Sequence, residues 1–559
     1  MAVKATDLVT HPHRRVPLLA ALGVSVAVPT LVLASLIPTL KAPFWFNEQE
    51  RAYYISYGAN WWQALHTDAA PSPAGWYFLE RFTGQLFGSR EITLRLPTAM
   101  WLLVSCVLLL LIARRWMPLP AALGVALIGG LNGGLLGFSV QIEPFLADTG
   151  SILVLLLLHD IAVTQPRTKR GGRLASLCYA GIAVATIFGL ATILVAGPLL
   201  AADVVATARG KAGYRQLVGA VAAGMIGLVG LAFFTIRQNA LTKISYWDAS
   251  FLPRTGLAQQ IHFVWNGLGS FVVGGLTTGY NAAGPALIRP RGANALAAAW
   301  GLLLVIGIIR AARSRGGRSL LVAIGGSLSL TLVASYLRYW PFGLNETTLF
   351  EVPLLVLLSG FGACQLAQWI RDLEETARRH HDIAVRVAAL GVTAATLLCF
   401  LAGIADAAAY EGAAYQQLVS GQPQPKYGDE VRLAVGIARS EAEPDAAVLV
   451  AGLMAVPGWT YYLWDYTGRA TQTGLDIPPQ RVLLTQGDGS PVITEFLDRV
   501  QPSELFVYIP NGTTGGQFEA DLERAAAAGY CTPAGSVSLP TSGLLDVVKK
   551  GTSCSGGGS

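Results

Sequence analysis

The chain has 559 residues, of which 53% are hydrophobic and only 13% are charged. A soluble protein carries roughly a quarter charged residues. This composition therefore excludes a soluble globular protein and indicates a polytopic α-helical membrane protein. The net charge of +6 does not indicate nucleic-acid binding, because the basic residues stand in short clusters between apolar segments. Such spacing is typical of the loops of membrane proteins.

Apolar segments long enough to cross a bilayer recur along residues 1–405, which we interpret as a transmembrane domain. The first segment is too long for the core of a signal peptide, so we predict that it stays as a membrane span. About eleven transmembrane helices follow from this pattern. The predicted spans are 16–40, 92–113, 119–137, 146–164, 174–189, 191–207, 216–236, 293–310, 319–336, 347–370 and 386–405.

The charges between the spans predict the orientation. RTKRGGR at 167–173, RGKAGYR at 209–215 and RAARSRGGR at 310–318 fall on the same side as the basic N-terminus. Because basic loops stay in the cytoplasm, the N-terminus is predicted to be cytoplasmic and the C-terminal region external.

Two predicted external loops, 41–91 and 237–292, are too long to be simple connections, and long ordered loops commonly carry function. ERAYYISYGANWWQAL at 50–65 predicts a helix lying in the membrane interface. PSPAGWYFLERFTGQLFG at 71–88 predicts a helix that begins after a proline. IHFVWNGLGSFVVGGL at 261–276 predicts a membrane-surface or re-entrant element.

Residues 406–559 are predicted to form a separate soluble extracytoplasmic domain, since they are numerous enough for a core of their own. Two short apolar runs alternate there with helical patterns, which is typical of a small α/β domain. The predicted strands are 446–452 and 504–510, and the predicted helices are 427–440, 491–501 and 516–529. The closing SGGGS is linker-like.

The six cysteines fall into two groups. Cys531 and Cys554 lie in the C-terminal region, where an external location would permit a disulfide between them. The others stand inside apolar runs and are predicted to be small packing residues; they are Cys106, Cys178, Cys364 and Cys399. Neither a metal-ligand spacing of Cys and His nor a phosphate-binding glycine loop is present in the sequence.

Charged residues on the predicted external side are the candidates for chemistry, because carboxylates at a membrane are costly. A pocket that combines a carboxylate with several cations suits a transferase with a lipid-phosphate donor. The carboxylate would deprotonate an acceptor hydroxyl, and the cations would hold the phosphate. The candidate acids are Glu48, Glu50 and Asp148; the candidate cations are Arg51, Arg81, Arg95 and Arg338; Tyr53 and Trp61 are aromatic candidates for substrate contact.

Structural explanations exist for several of these residues. Glu50 and Arg51 could form a solvated pair on a surface helix. Arg95 could extend toward lipid headgroups, and Asp148 could cap the N-terminus of its own helix. The sequence alone leaves these alternatives open.

Four stretches resemble the GT-C glycosyltransferases, specifically the bacterial relatives of dolichyl-phosphate-mannose protein mannosyltransferases and the lipid A aminoarabinose transferase. They are FWFNEQERAYYIS at 44–56, PAGWYFLERFTGQLFGSREITLRLP at 73–97, GFSVQIEPFLADTGSILVLLLL at 137–158 and YWPFGLNETTLFEVPLLVLLSG at 339–360. They occur in the order that the family shows and span roughly residues 16–400. The resemblance implies a GT-C fold and a bacterial plasma (inner) membrane location.

The resemblance also assigns roles, with departures from the family pattern. The family's catalytic aspartate matches Asn47, which has no basic carboxylate, and its second acid matches Glu48. Glu143 stands where the family often has a basic residue, and Asn345 stands near a family arginine. Asn47, Glu143 and Asn345 are therefore candidates for substrate binding, while Glu48, or else Glu50, would be the base.

The leading hypothesis is an inverting transferase that moves a sugar from a polyprenyl-phosphate donor to a cell-envelope glycan or glycolipid on the external face. Its expected partners are that donor, that acceptor and membrane lipids, without nucleic acid. No cofactor is predicted, although a divalent metal would be compatible with such a pocket. The alternatives are a GT-C relative without activity that binds glycan or lipid, suggested by Asn47, and a transporter of lipid-linked sugar. Against a transporter, the sequence has no evident internal repeat.

Overall fold

The computed structural model describes most of the chain, and it divides into two compact units that are described here one at a time. The helical unit comprises residues 1–37, 65–79 and 96–416, and the mixed unit comprises residues 38–64, 80–95 and 417–559. The predicted domain boundary near residue 405 lies outside the described residues. These are 12–44, 46–57, 72–165, 168–210, 214–232, 245–278, 293–380, 427–441, 443–451, 462, 479–485, 490–509, 515–531, 537–538 and 544–551.

Helices make up nearly all of the described chain up to residue 380. Three segments depart from α-helical geometry: 3-10 turns at Ser245–Ser250 and Glu346–Thr348, and a π-helix at Phe271–Thr278. The α-helices are α1 Pro12–Ser35, α2 Ile37–Lys41, α3 Phe46–Tyr57, α4 Ala74–Phe87, α5 Glu91–Trp116, α6 Leu119–Gly130, α7 Gly133–Ser139, α8 Phe145–Thr164, α9 Lys169–Phe188, α10 Thr192–Ala208, α11 Tyr214–Leu231, α12 Leu257–Ser270, α13 Ala293–Arg313, α14 Arg315–Tyr336 and α15 Glu351–His380.

Seven of the described helices are long and apolar enough to cross a membrane, namely α1, α5, α8, α9, α13, α14 and α15. Helices α6 and α7 meet at a bend of 55° and give an eighth span if they cross together. Helices α10 and α11 are apolar but shorter. Every predicted span except 386–405 coincides with one of these apolar helices, and 386–405 lies outside the described residues. The prediction of a polytopic helical membrane protein is confirmed.

Close backbone contact joins α13 to α15. A Cβ added at Gly307 would lie 2.2 Å from the carbonyl oxygen of Leu358, and one added at Gly362 would lie 2.0 Å from that of Leu303. No larger side chain fits at either position. Membrane helices pack through small residues in this way because moving apolar side chains out of lipid gives no hydrophobic gain, so association depends on close van der Waals contact.

The mixed unit contains a six-stranded sheet with helices in the C-terminal part of the chain. Its helices are α16 Tyr427–Glu441, α17 Ser490–Val500 and α18 Gly515–Ala527, and its strands are β1 Ala447–Ala451, β2 Val482–Thr485, β3 Glu504–Ile509, β4 Tyr530–Cys531, β5 Val537–Ser538 and β6 Leu544–Lys550. The strand order is β2-β1-β3-β6-β4, and β5 pairs with β6. Strand β1 is parallel to β2 and β3, whereas β6 is antiparallel to β3.

The core of the sheet explains its central strand. Strand β1 is apolar throughout, as expected for a strand between two parallel neighbours, and Leu449 is fully buried. Ile493 and Phe496 of α17 pack in the same core as Leu505. Cys531 forms a disulfide bond, and its predicted partner Cys554 lies outside the described residues.

Candidate active site

Arg95, near the start of α5, holds the chain at the end of α2. The last carbonyl groups of a helix lack partners within it, and a cation there is favourable. Arg95 Nη1 donates to the carbonyl oxygens of Thr39 at 3.0 Å and Leu40 at 3.1 Å. It also donates to Ala42, and Nη2 donates to Pro43 at 3.2 Å. Arg95 therefore caps α2 and fixes the segment after it.

The same guanidinium binds Glu48 in the first turn of α3. Arg95 Nε lies 2.8 Å from Glu48 Oε1, and Nη2 lies 2.6 Å from Oε2. The side chains are 3% and 1% exposed. This bidentate geometry is the strong form of an arginine–carboxylate pair. An arginine has five N–H donors, and Glu48 and the four carbonyls use them all.

Phe44 lies at the centre of this turn. Its ring is 5.0 Å from the Arg95 guanidinium carbon. Its N–H donates to the hydroxyl of Tyr462 at 2.8 Å, and its carbonyl accepts from Gln49 Nε2 at 2.9 Å. Burial raises the pKa of the Tyr462 phenol well above its ordinary value near 10. Tyr462 therefore stays neutral and can accept this hydrogen bond.

More charged groups are buried in the mixed unit. Arg51 is 5% exposed, Glu80 is fully buried and Glu91 is 5% exposed. The Nη1 atom of Arg432 in α16 lies 3.7 Å from the Oε1 atom of Glu91. Since unpaired buried charges are costly, such a concentration of acids and bases is typical of a functional site.

Arg81 differs from Arg95 in its contacts. It is partly exposed, yet its Nη1 atom is buried and has no hydrogen-bond partner among the described residues. The structure thus leaves a donor of Arg81 for a group outside the described chain. The sequence predicted both Arg81 and Arg95 as phosphate ligands. In the structure their hydrogen bonding differs, because the donors of Arg95 are occupied and Nη1 of Arg81 has no partner among the described residues.

Helix α3 departs from the predicted interfacial helix at 50–65. It begins at Phe46, and Glu48, Gln49, Arg51, Ala52 and Ile55 along it are all buried. The face with the charges is buried because Arg95 compensates Glu48, whereas an interfacial helix would bury its aromatic face. Residues 58–65 lie outside the described residues.

Other candidates of this loop are less fully described. Asn47 lies in the first turn of α3 and Glu50 in the next part of the helix; their side chains are outside the described set, as is the whole of Trp61. Tyr53 is half-buried, and its ring centroid is 5.2 Å from that of Tyr54.

Asp148 belongs to the helical unit, where it caps a neighbouring helix. It lies in the first turn of α8 and is 5% exposed. Its Oδ1 accepts from the N–H of Ala191 at 3.1 Å, the residue that precedes α10. The alternative that Asp148 caps its own helix is therefore replaced by a cap on α10. This contact gives Asp148 a structural role.

The remaining candidates also lie in the helical unit. Asn345 Oδ1 accepts from the N–H of Thr347 at 2.9 Å and caps the 3-10 turn at 346–348. Arg338 is exposed and pairs with Asp248 at 2.6 Å between Nη1 and Oδ1. Glu143 is 3% exposed. These residues belong to the helical unit, whereas Glu48 and Arg95 are in contact within the mixed unit.

Arg432 and Tyr462 are absent from the candidates predicted from the sequence, although both contact residues of this cluster. The dense aromatic stretch WTYYLWDY at 459–466 was the only signal for Tyr462. Arg432 has no local signal, because it lies on an ordinary amphipathic helix. Within the described ranges, no group of three His, Cys, Asp or Glu side chains is arranged to hold a metal.

Comparison with known proteins identifies the fold. Neither a family model nor a curated protein sequence matches the chain. The structure is similar to that of ArnT from Cupriavidus metallidurans in the apo state, with a TM-score of 0.55 and 14% identity over 96% of this chain and 100% of that one. The structure of ArnT bound to undecaprenyl phosphate gives a TM-score of 0.52 and 15% identity over 96% and 99%. This likeness extends over nearly the whole of both chains and shows that the protein has the fold of ArnT, the GT-C fold that the sequence resemblance implied.

Proposed function

We propose that the protein is a membrane glycosyltransferase that moves a sugar from a polyprenyl-phosphate donor to a cell-envelope glycan or glycolipid on the external face. The observation that supports this most is the buried, bidentate Glu48–Arg95 pair at the start of α3. It stands in a chain with the GT-C fold. The ArnT structure bound to undecaprenyl phosphate supports the class of lipid.

Glu48 is the proposed general base. A carboxylate offers about four lone-pair sites, and Arg95 takes one on each oxygen. In the proposed step a carboxylate oxygen of Glu48 accepts the proton of the acceptor hydroxyl while the hydroxyl oxygen attacks the anomeric carbon. The bond from that carbon to the phosphate breaks, and the polyprenyl phosphate leaves with its electron pair. A single displacement of this kind inverts the anomeric centre.

Arg95 is proposed as a positioning residue, which revises its expected role as a phosphate ligand. Its N–H groups are engaged by Glu48 and by backbone carbonyls, so it holds the carboxylate in one orientation. Arg51 and Arg81 are then the proposed ligands of the donor phosphate. The buried Nη1 of Arg81 suits an oxygen of the leaving phosphate, where negative charge develops. Arg338 is proposed as a further phosphate-binding cation on the external face.

The other candidates take supporting roles in this proposal. Asn47, Glu143, Tyr53 and Trp61 contact substrate, while Asp148 and Asn345 shape the helical unit through their caps. Glu50 is the alternative base. No cofactor enters the proposed step, because the lipid phosphate is itself the leaving group.

A second candidate function is a GT-C-fold protein that binds the lipid-linked sugar without transferring it. Two observations favour it. Asn47 replaces the acid expected at the family's catalytic position, and Glu48 is 1% exposed with both oxygens bound by Arg95. In this case the pair would serve only to hold α2 and α3 together.

Transfer assays on purified protein separate these functions. We would supply labelled polyprenyl-phosphate sugars and envelope acceptors to the wild type, Glu48→Gln and Glu50→Gln, with Glu441→Gln as control, since Glu441 is exposed at the end of α16. Loss of a general base should lower kcat by about 10²- to 10⁴-fold in Glu48→Gln while donor binding persists. A wild-type rate in Glu48→Gln would reject Glu48 as the base. Binding without transfer by the wild type would favour the second candidate, and movement of unmodified glycolipid across liposomes would favour a transporter.

A further inference from the structure

An apolar groove runs between α9 and α11 in the helical unit. Its volume is about 550 Å³. Ser176, Ala180, Val184 and Ile187 line it from α9, and Ala222 and Ile226 line it from α11. The spacing of the α9 residues marks one face of a helix. From Ser176 to Ile187, at about 1.5 Å per residue, the groove extends roughly 16 Å.

The floor of the groove is held in place by buried polar groups. Tyr179 of α9 packs its ring against Gly219, where an added Cβ would lie 2.8 Å from the ring atom Cδ2. The Tyr179 hydroxyl donates to Asp203 Oδ2 at 2.6 Å, and His159 Nε2 lies 3.1 Å from the same oxygen. These groups come from α8, α9 and α10. The groove is therefore preformed, because its floor is anchored to three helices.

Ionisable residues inside membrane helices are rare and usually functional. His159, Asp203 and Tyr179 are all buried, and none takes part in the proposed sugar transfer. Their contacts instead support the groove. The buried His159, Asp203 and Tyr179 group therefore has a structural role at the groove that is independent of the transfer reaction.

Two arginines precede the groove on the lining helix α9, three and six positions before Ser176. Arg170 and Arg173 project from the start of α9 and are exposed, as is Arg209 after α10. No ion pair engages these three arginines among the described residues. At the other end, beyond Val184 and Ile226, both helices continue without a charged residue. The groove thus matches a ligand with an anionic head and an apolar tail.

We propose that this groove binds one anionic membrane phospholipid, with its phosphate at Arg170 and Arg173 and an acyl chain between α9 and α11. A zwitterionic lipid fits less well, because its own cation would meet the arginines. The polyprenyl-phosphate donor is expected at Arg51 and Arg81 in the mixed unit. The lipid site is therefore separate from the proposed transfer reaction and does not depend on it.

Native mass spectrometry of the purified full-length protein tests this site. The probes are phosphatidylglycerol, phosphatidylcholine with the same acyl chains, and undecaprenyl phosphate. Arg170→Gln with Arg173→Gln removes the two cations, and Ala180→Leu with Ala222→Leu fills the groove. Arg313→Gln with Arg318→Gln is the control, since these arginines are exposed in another basic cluster.

We expect one phosphatidylglycerol to be retained per chain. Each arginine near the membrane surface contributes about fivefold in affinity, so the double arginine variant should bind about 30-fold more weakly. The filled groove should lose the lipid, and the control should bind as the wild type does. Equal loss in the control would overturn the site, as would equal binding of phosphatidylcholine. Undecaprenyl phosphate that displaces phosphatidylglycerol would overturn the phospholipid assignment. If the leucine variant fails to fold, the exposed arginine pair still decides between these outcomes.

Discussion

Replacing Arg95 with methionine should open the turn that joins α2 to α3. Methionine keeps much of the apolar stem of arginine but none of its donors. The change removes both bonds to Glu48 and leaves the carbonyls of Thr39, Leu40 and Ala42 without the guanidinium. Glu48 would then be a buried carboxylate without its counter-ion.

The size of the effect follows from that uncompensated charge. Removing one partner of a buried ion pair costs about 3–5 kcal/mol. At about 1.4 kcal/mol for each factor of ten, the opening equilibrium of residues 37–49 should rise by about 10²- to 10⁴-fold. Arg95→Lys keeps the charge but has three donors for six acceptors, so its effect should be intermediate. The order expected is therefore wild type, lysine and methionine.

Hydrogen exchange measured by mass spectrometry on peptides covering residues 37–57 reports this opening directly, because exchange of amides follows local unfolding. Arg90→Met is the matched control, since Arg90 is exposed and lies five residues before Arg95. Exchange in Arg95→Met no faster than in Arg90→Met would refute the role of Arg95. Arg95→Lys behaving as the wild type would show that charge matters and that the bidentate geometry does not.

Three further predictions concern two contacts. Tyr462→Phe leaves the buried N–H of Phe44 without its acceptor and should cost about 1–3 kcal/mol, seen as faster exchange at Phe44. The raised pKa of Tyr462 means that its contribution to stability is complete below the ordinary pKa near 10 and is lost as the pH rises through the higher value. Unfolding followed against pH should show a smaller alkaline loss in Tyr462→Phe than in the wild type, and an equal loss in the two proteins would contradict the assignment. Asp148→Asn keeps an acceptor for the N–H of Ala191, whereas Asp148→Ala should cost about 1 kcal/mol; equal thermal unfolding of the two variants would argue against the cap.

The fold could be predicted well from the sequence where hydrophobicity decides the structure. Membrane helices can be recognised by their length and apolar composition. The predicted strands at 446–452 and 504–510 match β1 and β3. Strand β6, Leu544–Lys550, was not predicted, because Asp546 and the two lysines interrupt its apolar pattern. Its place beside β3 is set by pairing, which no local pattern specifies.

The contacts of the site could not be predicted in the same way, because they join residues far apart in the chain. Glu48 and Arg95 were both candidates, yet their sequence spacing gave no reason to pair them. Asp148 was placed correctly near a helix start, but the helix that it caps begins after Ala191. Phe44 and Tyr462 are separated by 418 positions. Residue types identified the candidate groups, and the tertiary structure shows which of them meet.

Helix α3 shows why a charged segment at a membrane is difficult to interpret from sequence. Burying Glu48 alone would be costly, so its pattern predicts a solvated or interfacial helix. The bond to Arg95 reverses this balance, because the guanidinium satisfies the carboxylate and the end of α2 together. The same reasoning applies to Asp203, which His159 and Tyr179 satisfy inside the helical unit. In both places the charged group is buried together with the partners that satisfy it.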